Sequence, residues 1–461
     1  MEDYFTFTAE ISANLFAGRQ HDIVCSIFKV ALNLPGVEVV PALKRAWIQL
    51  RYEQPQIAAA TENYKKVYEV PSTEDALQAW VDSTFVVVSD AENAEQFLKS
   101  VPGIDQATLY YLPKSSELTL RVHHQINDGI GSLQAMRVFF NVLANPPKSL
   151  SSDLSWGTEP CRLPLPLEEV LGHTPDTPPT PSQSEKGTAR LMAYLSNLPA
   201  IGPVSTVGKT PAGENLTIER VLSPSTTAAI IQESKEMGIT ITSAVHAAYI
   251  LMLQTLGDPD SNQSRYTGIT AHNMRRHVPS LSNPKKATVG LYYAPQFVTI
   301  PLPPGVSEAG EGTTYTTVAK TLDEHYRTTI DDETLAVHGA FTSALATIVR
   351  SEEYQAAPIP ADATMSSLGV LERCDIVLGK NTVHFWTFRE NMHLVYSFNG
   401  AYKDSGDVEG YLEEMERVLR VELIGERDGG VEQAVDEIDG WQYADKRVNR
   451  YMTASLLLLD K

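Results

Sequence analysis

Arg121-Val122-His123-His124-Gln125-Ile126-Asn127-Asp128-Gly129 is the stretch on which the reading of this chain turns. Just upstream, Leu109-Tyr110-Tyr111-Leu112 and Leu118-Thr119-Leu120-Arg121-Val122 flank Pro113-Lys114-Ser115-Ser116, the pattern of a β-hairpin. Downstream, Ile130, Leu133, Met136, Phe140 and Leu143 recur every three or four positions and stop before Pro146-Pro147, which predicts an amphipathic helix. The paired histidines therefore stand where a strand passes through a loop into a helix. Side chains alternate across a strand, so Leu118, Leu120, Val122 and His124 share its apolar face. Strand parity thus presents His124 to the interior and turns His123 away.

Further out, the first hundred residues mix helices and strands. Val24 to Leu34 and Val40 to Arg51 carry apolar residues at helical spacings, Phe85-Val86-Val87-Val88 reads as a strand, and Ala91 to Lys99 as a short helix. From Pro146 to about Pro211, Pro, Ser and Thr crowd together, as in Thr174-Pro175-Asp176-Thr177-Pro178-Pro179-Thr180-Pro181. This predicts a crossover linker with little regular structure beyond a helical turn at Thr188 to Leu195. Leu216 to Leu222 then reads as a strand, and Ser223-Pro224 as a capped helix start leading to Gly238. Thr242 to Leu256 is apolar nearly all round and predicts a buried helix. Tyr266 to Ala271, Val383 to Phe388 and Leu394 to Phe398 read as strands, and Val408 to Ile424 as a closing helix.

With 461 residues the chain suits two domains rather than one core. Its formal charge of −20, from 37 basic and 57 acidic residues, argues against nucleic acid as a partner. Cys25, Cys161 and Cys374 are too scattered for a disulfide framework or a zinc site and suit a reducing compartment. Met1-Glu2-Asp3-Tyr4-Phe5 lacks a basic region followed by an apolar core, and the longest apolar runs fall short of a membrane span. The expectation is a cytoplasmic monomer that meets neither membrane nor nucleic acid.

There is no Gly-x-Ser-x-Gly elbow and no P-loop, and Gly129-Ile130-Gly131 is followed by Gln134 where a dinucleotide fingerprint needs a third glycine. A metal site is not expected either, because adjacent strand residues do not converge on one ion. A histidine on an apolar strand face is ordinarily a satisfied core residue. What sets this one apart is the Asp-Gly that follows at fixed spacing.

The His-His-x-x-x-Asp-Gly pattern resembles that of the superfamily of coenzyme A-dependent acyltransferases and nonribosomal peptide synthetase condensation domains, and in particular fungal O-acyltransferases of the trichothecene acetyltransferase kind. The resemblance runs over essentially the whole chain. It implies an α+β fold of two chloramphenicol-acetyltransferase-like lobes, with mixed β-sheets flanked by helices and an active-site tunnel at their interface. The lobes are expected over residues 1–200, with the linker from about 146, and 211–461.

By the same resemblance His124 is the general base, and Asp128 is a structural partner of the catalytic site. Ala271-His272-Asn273-Met274-Arg275-Arg276-His277-Val278-Pro279 matches the family's Asp/Asn-x-Arg segment, which makes Arg275 the partner of Asp128, with Arg276 second and Asn273 beside it. Gly129 allows a tight turn near the substrate, and His123 has a supporting role. Thr364-Met365-Ser366-Ser367-Leu368-Gly369 resembles the stretch that offers oxyanion donors, here Ser366 or Ser367, or reads simply as a turn with two hydroxyls. Tyr292 and Tyr293 fall where the family lines its channel, and Trp386 in a strand near the C-terminal half of the tunnel, although such residues are more often plain core aromatics. The Asp-Phe-Gly-Trp-Gly block of the plant branch is missing; Asp375-Ile376-Val377 and Phe385-Trp386-Thr387-Phe388 occupy that region. The implied reaction moves a short acyl group from acyl-CoA, a co-substrate rather than a bound cofactor, to a small-molecule alcohol. An acyl carrier protein as donor, and a cyclisation or binding scaffold of the same fold, are the alternatives.

Overall fold

A computed structural model describes residues 23–30, 32, 38–62, 65–147, 154–173, 177–206, 215–278, 288–302, 314–352, 364–370, 382–388 and 391–426. Met1 to Phe5, Thr174 to Asp176, Cys374, Asp375-Ile376-Val377 and Pro279 lie outside them, as does the side chain of Trp386.

The N-terminal half comprises β1 (Ile23–Lys29), α1 (Val39–Glu53), β2 (Ala59–Glu62), β3 (Lys65–Tyr68), α2 (Glu74–Thr84), β4 (Phe85–Val87), α3 (Ala94–Leu98), β5 (Thr108–Leu112), β6 (Glu117–His123) and α4 (Gly129–Ala144). Its sheet runs β1-β6-β5-β4, with β2 and β3 as a separate hairpin. The hairpin expected around Pro113 is present, with Leu109 opposite Leu120 and Tyr111 opposite Leu118. Val24 and Phe28 of β1 join Leu118, Leu120 and Val122 of β6 in one core with Trp47 and Leu50 of α1 and Phe139 of α4.

Here the helix expected over Val24 to Leu34 is corrected. Residues 23–29 form a strand antiparallel to β6, with Val24 opposite Val122 and Phe28 opposite Leu118. Apolar residues at 24, 27, 28 and 30 fit both a helical and an alternating period, and pairing with a distant strand decides between them.

The expected linker is also more ordered than its composition predicts. It contains α5 (Leu167–Val170) and α6 (Pro181–Leu195). Thr180 and Gln183 form a capping box at the start of α6, with Pro181 in the first turn. The last proline of the crowded run is therefore a helix starter.

The C-terminal half continues with β7 (Asn215–Val221), α7 (Pro224–Met237), α8 (Ile241–Leu256), β8 (Arg265–Asn273), β9 (Tyr293–Pro301), α9 (Tyr315–Thr328), α10 (Asp332–Arg350), β10 (Thr364–Val370), β11 (Thr382–Phe388), β12 (Asn391–Asn399) and α11 (Ser405–Val418). Its sheet is mixed and runs β7-β12-β11-β10-β8-β9, with β10 parallel to both neighbours. Thr364 to Gly369 is thus an interior strand, bulged between Ser367 and Gly369, rather than a turn.

Helix α8 is buried along most of its length, as its composition predicts. Its His246 is held between two hydroxyls, Tyr326 at 3.0 Å from Nδ1 and Tyr266 at 2.9 Å from Nε2. Beside it, Thr270 Oγ1 lies 2.9 Å from His272 Nε2 and 3.2 Å from His325 Nε2. Burial pushes His246 and His272 down to about 3 and His325 to about 4, so all three are neutral near pH 7. Helix α6 docks on α10: Gln183 Nε2 donates to Ala336 O at 2.8 Å, and Gly187 lets the helices approach so closely that a Cβ there would lie 2.6 Å from the Phe341 backbone.

Candidate active site

Strand β6 ends at His123, and the chain turns through His124, Gln125 and Ile126 before α4 begins. The turn is closed by backbone bonds from Ile126 N and Asn127 N to His123 O, at 2.9 and 3.2 Å. His124 is therefore one residue past the strand, and the alternation of β6 does not extend to it. The two rings nonetheless part company. His123 Nε2 donates to Ile104 O at 2.5 Å, within the N-terminal half. The His124 ring faces Tyr293 at the start of β9, with centroids 5.5 Å apart.

Asp128 is the N-cap of α4, and its Oδ1 accepts from Gly131 N at 2.7 Å. Its Oδ2 accepts from Arg275 Nη1 at 2.9 Å and from Tyr292 N at 2.7 Å. Both oxygens are therefore engaged in structural hydrogen bonds. Asn273 caps the short 3-10 turn that carries Arg275, accepting from Arg275 N at 3.1 Å. Arg275 is buried and also donates to Thr288 O at 3.0 Å and Gly290 O at 2.8 Å. Arg276, by contrast, is exposed.

Residues 288–292 form a strap from the C-terminal half against the N-terminal one. Gly290 N donates to Asn127 Oδ1 at 2.8 Å, and Gln56 Nε2 to Val289 O at 3.1 Å. Gly290 has φ of +143°, a conformation open to glycine alone. Gly131 is equally constrained, because a Cβ there would collide with Asn127 Oδ1 and lie 2.5 Å from Gly290 O. Gly131 thus makes the close approach to the strap, and Gly129 is the buried first residue of α4. Asn127, Gly131 and Gly290 are the site residues that reading the sequence misses. Asn127 falls at a variable position inside the motif, and the other two need a partner segment to explain them.

The remaining expected residues separate. Tyr292 is buried, its Oη donates to Leu165 O at 2.8 Å and its ring lies under the Arg275 guanidinium at 5.1 Å, so it plugs the junction instead of lining a channel. Burial raises its phenol well above the usual tyrosine range. Tyr293 is the aromatic beside His124. Ser366 and Ser367 lie half-buried on β10, and Ser367 Oγ accepts from Thr242 Oγ1 at 3.0 Å, in the first turn of α8. Trp386, on β11, pairs in register with Gly369 of the neighbouring β10, two residues from Ser367. Among the described residues no group of three or more His, Cys, Asp or Glu is arranged to hold a metal ion, and no single helix is long and apolar enough to cross a membrane.

No family model matches this chain. Two relatives from Monascus ruber span nearly all of it. The acetyltransferase pigO is 28% identical over 439 residues, 89% of this chain and 92% of the relative. The O-acetyltransferase pigM is 27% identical over 436 residues, 89% of this chain and 81% of the relative. Among solved structures, the fold matches TRI3 trichothecene 15-O-acetyltransferase from Fusarium sporotrichioides, with a TM-score of 0.74, 16% identity, and coverage of 90% of this chain and 95% of that one. It also matches the EpoB cyclization-docking bidomain from Sorangium cellulosum, with a TM-score of 0.60 and 12% identity over 92% of this chain and 84% of that one. The chain is thus similar over nearly all of its length to fungal acetyltransferases, and it shares the two-lobed fold of TRI3 and of the EpoB cyclization-docking bidomain.

Proposed function

We propose that this protein transfers a short acyl group, acetyl being the simplest, from coenzyme A to a hydroxyl of a small-molecule secondary metabolite, with His124 as general base. The observation that carries this reading is the placement of His124. It occupies a loop fixed at both ends, by β6 and by the Asp128–Arg275 junction, and its ring faces the opposite half of the molecule. Neutral imidazole accepts the proton of the acceptor hydroxyl as the oxygen attacks the thioester carbonyl. The tetrahedral intermediate collapses with cleavage of the carbon–sulfur bond. The imidazolium returns the proton to the departing sulfur, leaving an ester, free thiol and neutral histidine. Asp128 contributes by holding the loop, and Ser367 or a backbone N–H of β10 is the candidate donor to the intermediate's oxyanion.

The names of the Monascus relatives, an acetyltransferase and an O-acetyltransferase, support an acetyl group and an oxygen acceptor. A thiol-release assay over a panel of acyl-CoAs with hydroxylated acceptors tests the reading. Turnover with free acyl-CoA supports it; turnover only when the acyl group is loaded on a carrier protein replaces the donor; binding without any transfer makes the chain a scaffold.

A further inference from the structure

We propose that Glu168 is a recognition group for the acceptor, its carboxylate receiving a hydrogen bond from a second, non-reacting hydroxyl of that molecule. This rests on the acyl-transfer reading above for the identity of the ligand, but its observations are separate. The Glu168 side chain is only 3% exposed. Its Oε2 nevertheless has no hydrogen-bond partner among the described residues. A buried carboxylate oxygen without a donor is costly, and a ligand hydroxyl reaching it would supply that donor.

The neighbours do not satisfy it. His338 Nε2 is 3.9 Å from Oε1, longer than a hydrogen bond, and burial pushes that imidazole down to about 4, so no ion pair forms near pH 7. Burial lifts Glu168 to about 7, partly opposed by a hydrogen bond from its own backbone amide and then by the charge of Lys66 on β3. Lys66 interacts electrostatically with both Glu168 and Asp128.

The position fits a substrate contact. Leu167 packs with Met274, Tyr292 and Ala294, and Leu165 O accepts from Tyr292 Oη. Glu168 is thus anchored to the segment whose next residue, Tyr293, meets the His124 ring. The same surroundings define the ligand. Lys66 already supplies a compensating positive charge to this carboxylate, which favours a neutral hydroxyl over an ammonium as the donor.

The test is calorimetric binding to the full chain of a matched set: a straight-chain mono-alcohol, the corresponding diol and the corresponding amino alcohol. The wild-type protein is expected to bind the diol about tenfold more tightly than the mono-alcohol, the value of one hydrogen bond to a charged acceptor. In Glu168→Leu the two should bind alike. If that variant does not fold, Glu168→Met carries the same expectation. Equal affinities in the wild-type protein, including no measurable binding, overturn the inference, as does a diol preference that survives the substitution. Tighter binding of the amino alcohol overturns the choice of a neutral donor. Thiol release from acetyl-CoA in the presence of the diol is read separately: its absence with selective binding intact counts against acyl transfer and leaves the subsite standing.

Discussion

Asp128 and Arg275 are 147 residues apart in the chain and 2.9 Å apart in the fold, with the guanidinium of one half set against the carboxylate of the other. Their side chains are 7% and 8% exposed, so each would be left as a buried, uncompensated charge without its partner. Arg275→Ala is therefore expected to cost about 3–5 kcal/mol of stability, with activity falling alongside. Chemical denaturation checks this. A denaturation midpoint equal to that of the wild-type protein would show that the pair does not hold the halves together.

Gly131→Ala is expected to damage the same junction by steric means. The added methyl meets the Asn127 carboxamide and Gly290 O, and relieving it means breaking the Asn127–Gly290 bond. Overpacking of this kind costs about 1–3 kcal/mol. Gly103→Ala is the control, since nothing lies within 4 Å of a Cβ there. Thermal unfolding of the two variants should differ clearly, the control melting like the wild-type protein.

Stability is expected to fall as pH drops below the ordinary histidine value of 6.5. An unfolded histidine takes up its proton near 6.5, whereas folded His246 and His272 resist until about 3 and His325 and His338 until about 4. Between those limits the unfolded state binds more protons, so acid favours unfolding; above 6.5 neither state is protonated and these groups contribute nothing. Glu168 acts in the opposite sense, because its raised value lets the folded protein bind a proton first as pH falls through about 7. The four histidines outweigh it. Denaturation from about pH 7 to about pH 5 should show the decline, and His246→Asn should make it shallower by about 1.4 kcal/mol per pH unit. An unchanged slope would mean that His246 is protonated in the folded protein.

Much of the site is legible in the sequence where local chemistry decides. The hairpin before His123, the cap at Asp128 and the helix after Gly129 each follow from residues within a turn or two. The partnership of Asp128 with Arg275 is legible only through the family resemblance, since no local rule joins positions so far apart. The failures share one cause. β1 needed β6 to choose its period, β10 needed two neighbours to become an interior strand, and α6 needed the C-terminal half to hold a helix behind a run of prolines. Gly131 and Gly290 were invisible for the same reason: the space each must leave belongs to the other half.

The most direct measurement is thiol release from acetyl-CoA with an accepted alcohol, compared between the wild-type protein and His124→Ala. A general base contributes about 10²–10⁴-fold, so turnover should fall by that order while the melting temperature stays that of the wild-type protein. Turnover retained by folded His124→Ala would contradict the assignment of His124 as the base.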